Sequence, residues 1–371
     1  MRPYSMQTLY YICIEPLEER YTKQWYDNFP IEFRKNGFNV VVIDGKPLSN
    51  VVSVGTFLDI NSTIAYKNSQ MMQIAELFHN NKINSGDVFF VADTEFWGLE
   101  SIRLMSQMNN IYVKIVSFLH AASYTIEDAF SVAAPYQKYT ELGWLASNDL
   151  VFVGSEYHKQ AVIDRRIKPY AHKDDIDELS RKIIVTGNPL FRQDFQHDNI
   201  NKKKRLIISN RFDWEKRPNL SLDIAYILKK QIPDLEIIVT TSRPKFKSNK
   251  EWLVTYAREL EKDGIIKIYE NLTKQEYYNL LADSKIMLTN SIEENFGYCI
   301  AEALAFNTYP LAPYGLSHNE LLQNNRNLLF TDVDDAINKA KQLLNDTVTV
   351  SHYIDKYYTA INIMCNYIKH G

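Results

Sequence analysis

The sequence predicts an α/β protein of two doubly wound domains that face a cleft, followed by a C-terminal helix. Two observations carry this. Short, nearly all-apolar runs alternate with longer amphipathic stretches, which indicates parallel sheets covered on both faces. The alternation also comes in two series, separated by a polar stretch, within a chain of 371 residues. At roughly 100–200 residues per domain, that length suits two domains. Apolar residues make up 45% and charged residues 23%, enough to bury a large core.

In the first series, Leu9–Ile14 reads as a buried strand. Arg20–Lys35 has helical spacing at Tyr21, Trp25, Phe29 and Phe33, with Pro30 expected to interrupt it and Gly37 to end it. Val40–Ile43, Asp87–Val91, Val113–Phe118 and Leu150–Val153 are the next strands, with helices over Ser69–Asn80 and Leu99–Asn109 between them. Arg165–Lys182 is polar and charged. Ile183–Thr186 then leads into the turn signal Gly187-Asn188-Pro189.

The polar stretch Phe191–Lys204 marks the domain boundary, near residue 195. The second series has strands at Arg205–Ser209, Leu235–Thr240, Ile265–Tyr269, Ile286–Thr289 and Tyr309–Ala312. Helices are expected at Pro218–Lys230, Glu251–Lys262, Lys274–Ala282 and Gly297–Ala305. Ser351–Lys369 carries apolar residues at helical spacing and reads as a terminal helix. The expected domains are therefore 1–195, 196–350 and a helix over 351–371.

Acidic residues exceed basic ones by 45 to 42, which excludes a uniformly basic nucleic-acid coat but allows local basic patches. The odd set Cys13, Cys299 and Cys365 contains no CxxC pair and suits a reducing compartment. No apolar run approaches the ~18–20 residues of a membrane span. MRPYSMQTLYYI lacks the features of a signal peptide, so the expected location is the cytoplasm.

Two stretches carry chemistry. In SIEENFGYCIAE, which follows the strand IMLTN, Gly297 lets the backbone approach a ligand closely where a helix begins. The unpaired N–H groups there suit a phosphate. Glu294 before the turn could bind sugar hydroxyls, and Glu302 inside the helix could accept from a ribose. The competing reading is that both are solvated helix-end charges. In SNRFDWEKRP, after the first strand of the second series, Arg211 and Lys216 could clamp a diphosphate. A solvated loop that enters a helix at Pro218 would have the same composition.

Together, SNRFDWEKRP and EENFGYCIAEALAFNTYPLAP resemble the nucleotide-sugar half of retaining GT-B glycosyltransferases, over roughly residues 183–330. Those enzymes share an Arg–x4–Lys pair and a Glu–x7–Glu motif enclosing Phe-Gly. The resemblance implies a GT-B fold of two Rossmann-like domains and a nucleotide-sugar donor. It implies that Arg211 and Lys216 neutralise the donor diphosphate, and that the turn Phe296, Gly297, Tyr298 and Cys299 binds phosphate. Glu302 would hold the ribose and Glu294 the transferred sugar. Three departures stand out. Asn307 replaces a usual glycine, Tyr314-Gly315-Leu316-Ser317 replaces a double-glycine turn, and Glu15-Pro16-Leu17-Glu18 replaces a glycine-rich loop. YPLAPYGLSHNELL is also similar to a run in the glycosyltransferases that mannosylate queuosine in transfer RNA.

In the N-terminal domain, His120 follows the strand VKIVSFL, where family members often place a histidine near the reacting sugar. Asp93, Glu95 and Trp97 in VADTEFWG would suit an acceptor wall at a strand's carboxyl end. No metal motif is present; the cationic clamp would neutralise charge in place of a divalent ion, and no cofactor beyond the nucleotide-sugar is expected. Basic residues gather at Lys202–Arg205, at Arg165, Arg166 and Lys168, and in the loop SRPKFKSNK. Such runs are usually solvated faces; the alternative is a phosphate-backbone or anionic-glycan surface.

The sequence-level expectation is thus a retaining glycosyltransferase, with the acceptor leaning to a hydroxyl on a modified nucleobase of DNA or RNA, in a phage or other AT-rich genome. The other acceptor class is a surface polysaccharide or lipid-linked glycan. A reading of a different kind is a non-catalytic nucleotide-sugar-binding protein.

Overall fold

The computed structural model describes residues 7–18, 20–49, 59–125, 135–196, 202–243, 245–346 and 349–371. The chain divides into two compact units, residues 1–190 with 359–371, and residues 191–358. The division falls at Leu190/Phe191, where the polar stretch begins and a few residues before the expected boundary near 195; the GNPL segment and Phe191 on either side of it are buried.

The first unit holds β1 (Thr8–Ile12), β2 (Asn39–Ile43), β3 (Val88–Val91), β4 (Lys114–Phe118), β5 (Leu150–Val153) and β6 (Ile183–Val185). They form one six-stranded sheet in the order β2-β1-β3-β4-β5-β6, parallel throughout. The central strands β3, β4 and β5 are almost wholly buried, which explains their uninterrupted apolar sequence. The edge strand β2 differs, with Val41 and Val42 exposed.

Several helices depart from expectation. Pro30 does not break its helix, which runs from Tyr21 to Lys35. Trp25, Phe29, Pro30 and Phe33 are all buried on one face, with Trp25 and Phe29 stacked at 4.5 Å. That packing outweighs the one backbone hydrogen bond that proline removes. The second helix runs Ile60–His79, starting well before Ser69, because Asp59 caps it by accepting from the Ser62 N–H. Much of the polar stretch after Asp164 is helical, including a π-helical turn over Ile163–Ile167. Ser351–Thr359 is 3₁₀ helix, and only Ala360–His370 is α-helix. That helix belongs to the first unit. Ile361, Met364, Cys365 and Ile368 are buried, Lys114 Nζ donates to the Ile368 carbonyl at 2.7 Å, and Asn36 Nδ2 donates to Asn362 Oδ1 at 2.9 Å.

The second unit holds β7 (Lys203–Ile208), β8 (Glu236–Thr240), β9 (Lys267–Tyr269), β10 (Ser284–Leu288), β11 (Tyr309–Pro313) and β12 (Leu329–Phe330). Their order is β12-β11-β10-β7-β8-β9, again parallel. From β7 the chain winds one way through β8 and β9, then crosses to β10 on the other side and winds outward through β11 and β12. β7 and β10 therefore flank the switch point, where open α/β sheets bind ligands at the carboxyl ends of their strands. Helices Pro218–Gln231, Glu251–Lys262, Lys274–Asp283, Tyr298–Ala305 and Val333–Leu343 cover the sheet.

Candidate functional site

The two motif-bearing loops follow β7 and β10, so the topology of the second unit brings them together. The Ile292 N–H donates to the Glu215 carbonyl at 2.9 Å and ties one loop to the other. Lys216 Nζ lies 2.9 Å from Glu294 Oε2. Burial opposes the charge on Glu294, but the Lys216 ammonium, with Arg211 also contributing, holds its pKa below the ordinary range. Arg211 is exposed and donates from Nη2 to Glu215 Oε1 at 2.7 Å. Arg217 next to Lys216 sits in the left-handed region with φ 42°, a conformation that favours glycine, and the following Pro218 opens the helix.

Gly297 has φ +100°, which an L side chain rarely adopts, and a Cβ there would meet Glu294 Cγ at 3.4 Å. It precedes the helix Tyr298–Ala305, whose first intrahelical bond is Ala301 N–H to the Gly297 carbonyl. The residues Tyr298, Cys299 and Ile300 thus form the first turn of this helix, where backbone N–H groups point toward the helix N-terminus and suit an anion. A third loop braces it: Ser317 Oγ donates to the Phe296 carbonyl at 2.9 Å. The Phe296 side chain is buried against Tyr357, with ring centroids 5.0 Å apart, so it anchors the turn. Burial, with Glu302 and Glu294 nearby, pushes the Cys299 thiol up to about 12, which keeps it protonated.

Glu302 is not a solvated helix-end charge. It is buried, and accepts from Lys274 Nζ at 2.6 Å, Tyr277 Oη at 2.9 Å and Tyr278 Oη at 3.2 Å. The helix N-capped by Thr273 supplies all three donors.

In the first unit, the expected acceptor residues cluster around a lysine that sequence reasoning did not single out. Lys67 Nζ lies 2.6 Å from Asp93 Oδ2, with both side chains buried, and it also donates to the Glu95 carbonyl. Its ammonium lies 5.4 Å from the Trp97 ring. Asp93 is therefore half of a buried ion pair, not an open wall residue. Burial disfavours its charge, yet Lys67 holds its pKa below the usual range. His120 meets Tyr21 Oη at 3.1 Å and the Ala92 carbonyl at 2.8 Å. Burial lowers its pKa although Asp93 opposes this. Glu15, in the segment replacing the glycine-rich loop, is buried, and desolvation raises its pKa.

His318 and Asp213 also escaped the sequence reading. His318 Nδ1 donates to the Pro313 carbonyl at 3.0 Å, and burial lowers its pKa, leaving a neutral ring near Glu294. Asp213 is buried; its Oδ1 accepts from the Asn249 N–H at 3.0 Å while Oδ2 lies 3.6 Å from Arg243 Nη2. No local spacing signals either role, because the charged groups that face them, Glu294 for His318 and Arg243 for Asp213, come from other loops. Among the described residues no group of three or more His, Cys, Asp or Glu side chains is placed to hold a metal ion, and no helix is long and apolar enough to cross a membrane.

Two parallel six-stranded units, with a cationic glycine turn at the switch point of the second, are the GT-B fold, and solved structures agree. A lipopolysaccharide outer core galactosyltransferase, WaaB, superposes with a TM-score of 0.65 at 12% identity, covering 98% of this chain and 99% of that one. Sucrose-phosphate synthase from Thermosynechococcus elongatus gives 0.63 at 12% identity, with 97% and 95% covered. The pneumococcal O-GlcNAc transferase GtfA, solved with UDP and GlcNAc, gives 0.53 at 14% identity, covering 80% of this chain and 60% of that one. The chain thus spans about three fifths of the length of GtfA. Residues 191–359, which span the second unit, are similar to the family model described as Glycosyl transferases group 1. No curated protein matches the chain by sequence.

Proposed function

We propose that this protein is a retaining glycosyltransferase that moves a sugar from a nucleotide-sugar donor to a hydroxyl of a glycan. The observation that carries this is the pairing of Lys216 with Glu294 beside the Gly297 turn, at the carboxyl ends of β7 and β10. The donor diphosphate accepts from the N–H groups that open the helix at Tyr298, and Lys216 and Arg211 lie over it. As the glycosidic bond opens, negative charge grows on the departing phosphate, and these fixed cations meet it. The acceptor hydroxyl attacks the same face of the sugar and gives its proton to a phosphate oxygen, so configuration is retained. In this reading charge neutralisation falls to the two side chains and not to a divalent ion. Glu294 holds hydroxyls of the transferred sugar. Glu302, with three donors already placed, has room for one ribose hydroxyl.

The glycan acceptor is supported by the name of one structural relative, a lipopolysaccharide outer core galactosyltransferase. The nucleobase acceptor favoured by the sequence finds no such support. The test is thermal: a panel of nucleotide-sugars is added to the protein and its melting temperature followed, then the stabilising donor is supplied with glycan acceptors. A rise for one donor that Lys216→Ala removes supports the reading. No rise for any donor, or undiminished transfer by Lys216→Ala, defeats it.

A further inference from the structure

The basic loop after β8 is not used by the chemistry above, yet it is built onto the same site. Thr241 N–H donates to the Tyr269 carbonyl at 2.9 Å, and Phe246 N–H donates to Glu270 Oε1 at 2.6 Å. At the far end, Asn249 N–H donates to Asp213 Oδ1 at 3.0 Å, and Trp214 N–H donates to Asn249 Oδ1 at 2.9 Å. The Phe246 ring packs on Phe212 at 4.5 Å. The loop is thus held to the segment that carries Arg211 and Lys216.

Its charges are not balanced. Asp213 neutralises Arg243, Glu215 neutralises Arg211, and Glu270 is taken by Arg258. Lys245, Lys247 and Lys250 are exposed and make no ion pair among the described residues, and the adjacent acid is the exposed Glu251. Beside them lies an indole pair, Trp214 and Trp252, with centroids 6.1 Å apart and Trp252 exposed by 49%. Unpaired ammonium groups favour a chain of negative charges, and exposed indole faces favour the C–H faces of sugar rings.

We infer that the surface of Lys245, Lys247, Lys250 and Trp252 docks an acidic glycan, a chain of sugar rings bearing carboxylate groups, as the acceptor strand. This rests on the transferase reading and specifies its acceptor. The charges tether the chain and Trp252 stacks a ring, beside the loop that bears the donor cations.

Fluorescence anisotropy on the full chain tests it, with labelled oligogalacturonate as probe and neutral dextran oligomers and a single-stranded oligonucleotide as competitors. Binding should weaken by about tenfold or more as salt rises, since exposed charges are screened within a Debye length. The triple variant Lys245→Ala, Lys247→Ala, Lys250→Ala should lose about tenfold or more in affinity and most of the salt dependence. Trp252→Ala should lose affinity without changing the salt dependence. Unaltered melting temperatures and an unaltered donor-induced rise would show that the variants fold. Oligogalacturonate binding as tight in the triple variant, equal competition by dextran, or stronger competition by the oligonucleotide would each overturn the proposal. Oligogalacturonate binding by a protein that no nucleotide-sugar stabilises would sustain the surface and sink the transferase reading.

Discussion

Lys216 and Glu294 concentrate the chemistry of the second unit in one contact of 2.9 Å. Lys216→Ala should cost roughly 10²–10³-fold in turnover, the range for removing one preorganised group that meets developing charge. Far-ultraviolet circular dichroism should be unchanged, which separates a chemical defect from a folding one. The pair also predicts a pH dependence. The folded pKa of Glu294 lies below the ordinary 4.5, so its contribution to stability is complete above that pH and is lost as pH falls through the folded value. In Lys216→Met the carboxyl loses its main stabilising charge and keeps only the contributions of Arg211 and His318 against burial, so urea titrations from about pH 6 to 3 should show a smaller loss in the variant. Gly297→Ala places a Cβ at φ +100°, where about 1–3 kcal/mol of backbone strain is expected. Calorimetry should find donor affinity down by about tenfold or more, because the turn that presents the amides must shift.

Among the elements, the tight ends of helices decide more than their middles. Asn307, the position at which the resemblance leads one to expect glycine, has φ 55° and accepts the Val350 N–H on Oδ1 at 2.7 Å. Asparagine tolerates this left-handed conformation, so the departure leaves the turn intact. Denaturant unfolding should find Asn307→Ala destabilised by about 1–2 kcal/mol, with Asn307→Gly closer to the parent because glycine keeps the conformation and loses only the side-chain bond. The helix across Pro30 shows the opposite balance, where an aromatic face buried beneath it outweighs a local breaker. Sequence alone reports the breaker strongly and the packing weakly, so Pro30 outweighs the aromatic spacing there.

The whole molecule is discontinuous in sequence: its first unit is completed by the last residues of the chain. Met364 is fully buried there. Met364→Ala should cost about 2–5 kcal/mol. Hydrogen exchange should report the loss across β1 to β6 and leave β7 to β11 protected. Equal loss of protection in both units would contradict the division.

What the sequence determined by itself was the alternation of strands and helices, and the two loops with the spacing of Arg211, Lys216, Glu294 and Glu302. These are local properties: apolar runs, turn residues and short motifs are legible wherever they fall. It also marked the basic loop after β8, without saying that Asp213 fastens it to the cationic loop. Tertiary structure alone decided that Asp93 is spent on Lys67, that Glu302 is held by Lys274, Tyr277 and Tyr278, that His318 stays neutral beside Glu294, and that the last helix returns to the first unit. Each of these depends on partners distant in the chain, and the burial and charge that settle a side chain's role exist only once those partners are packed against it.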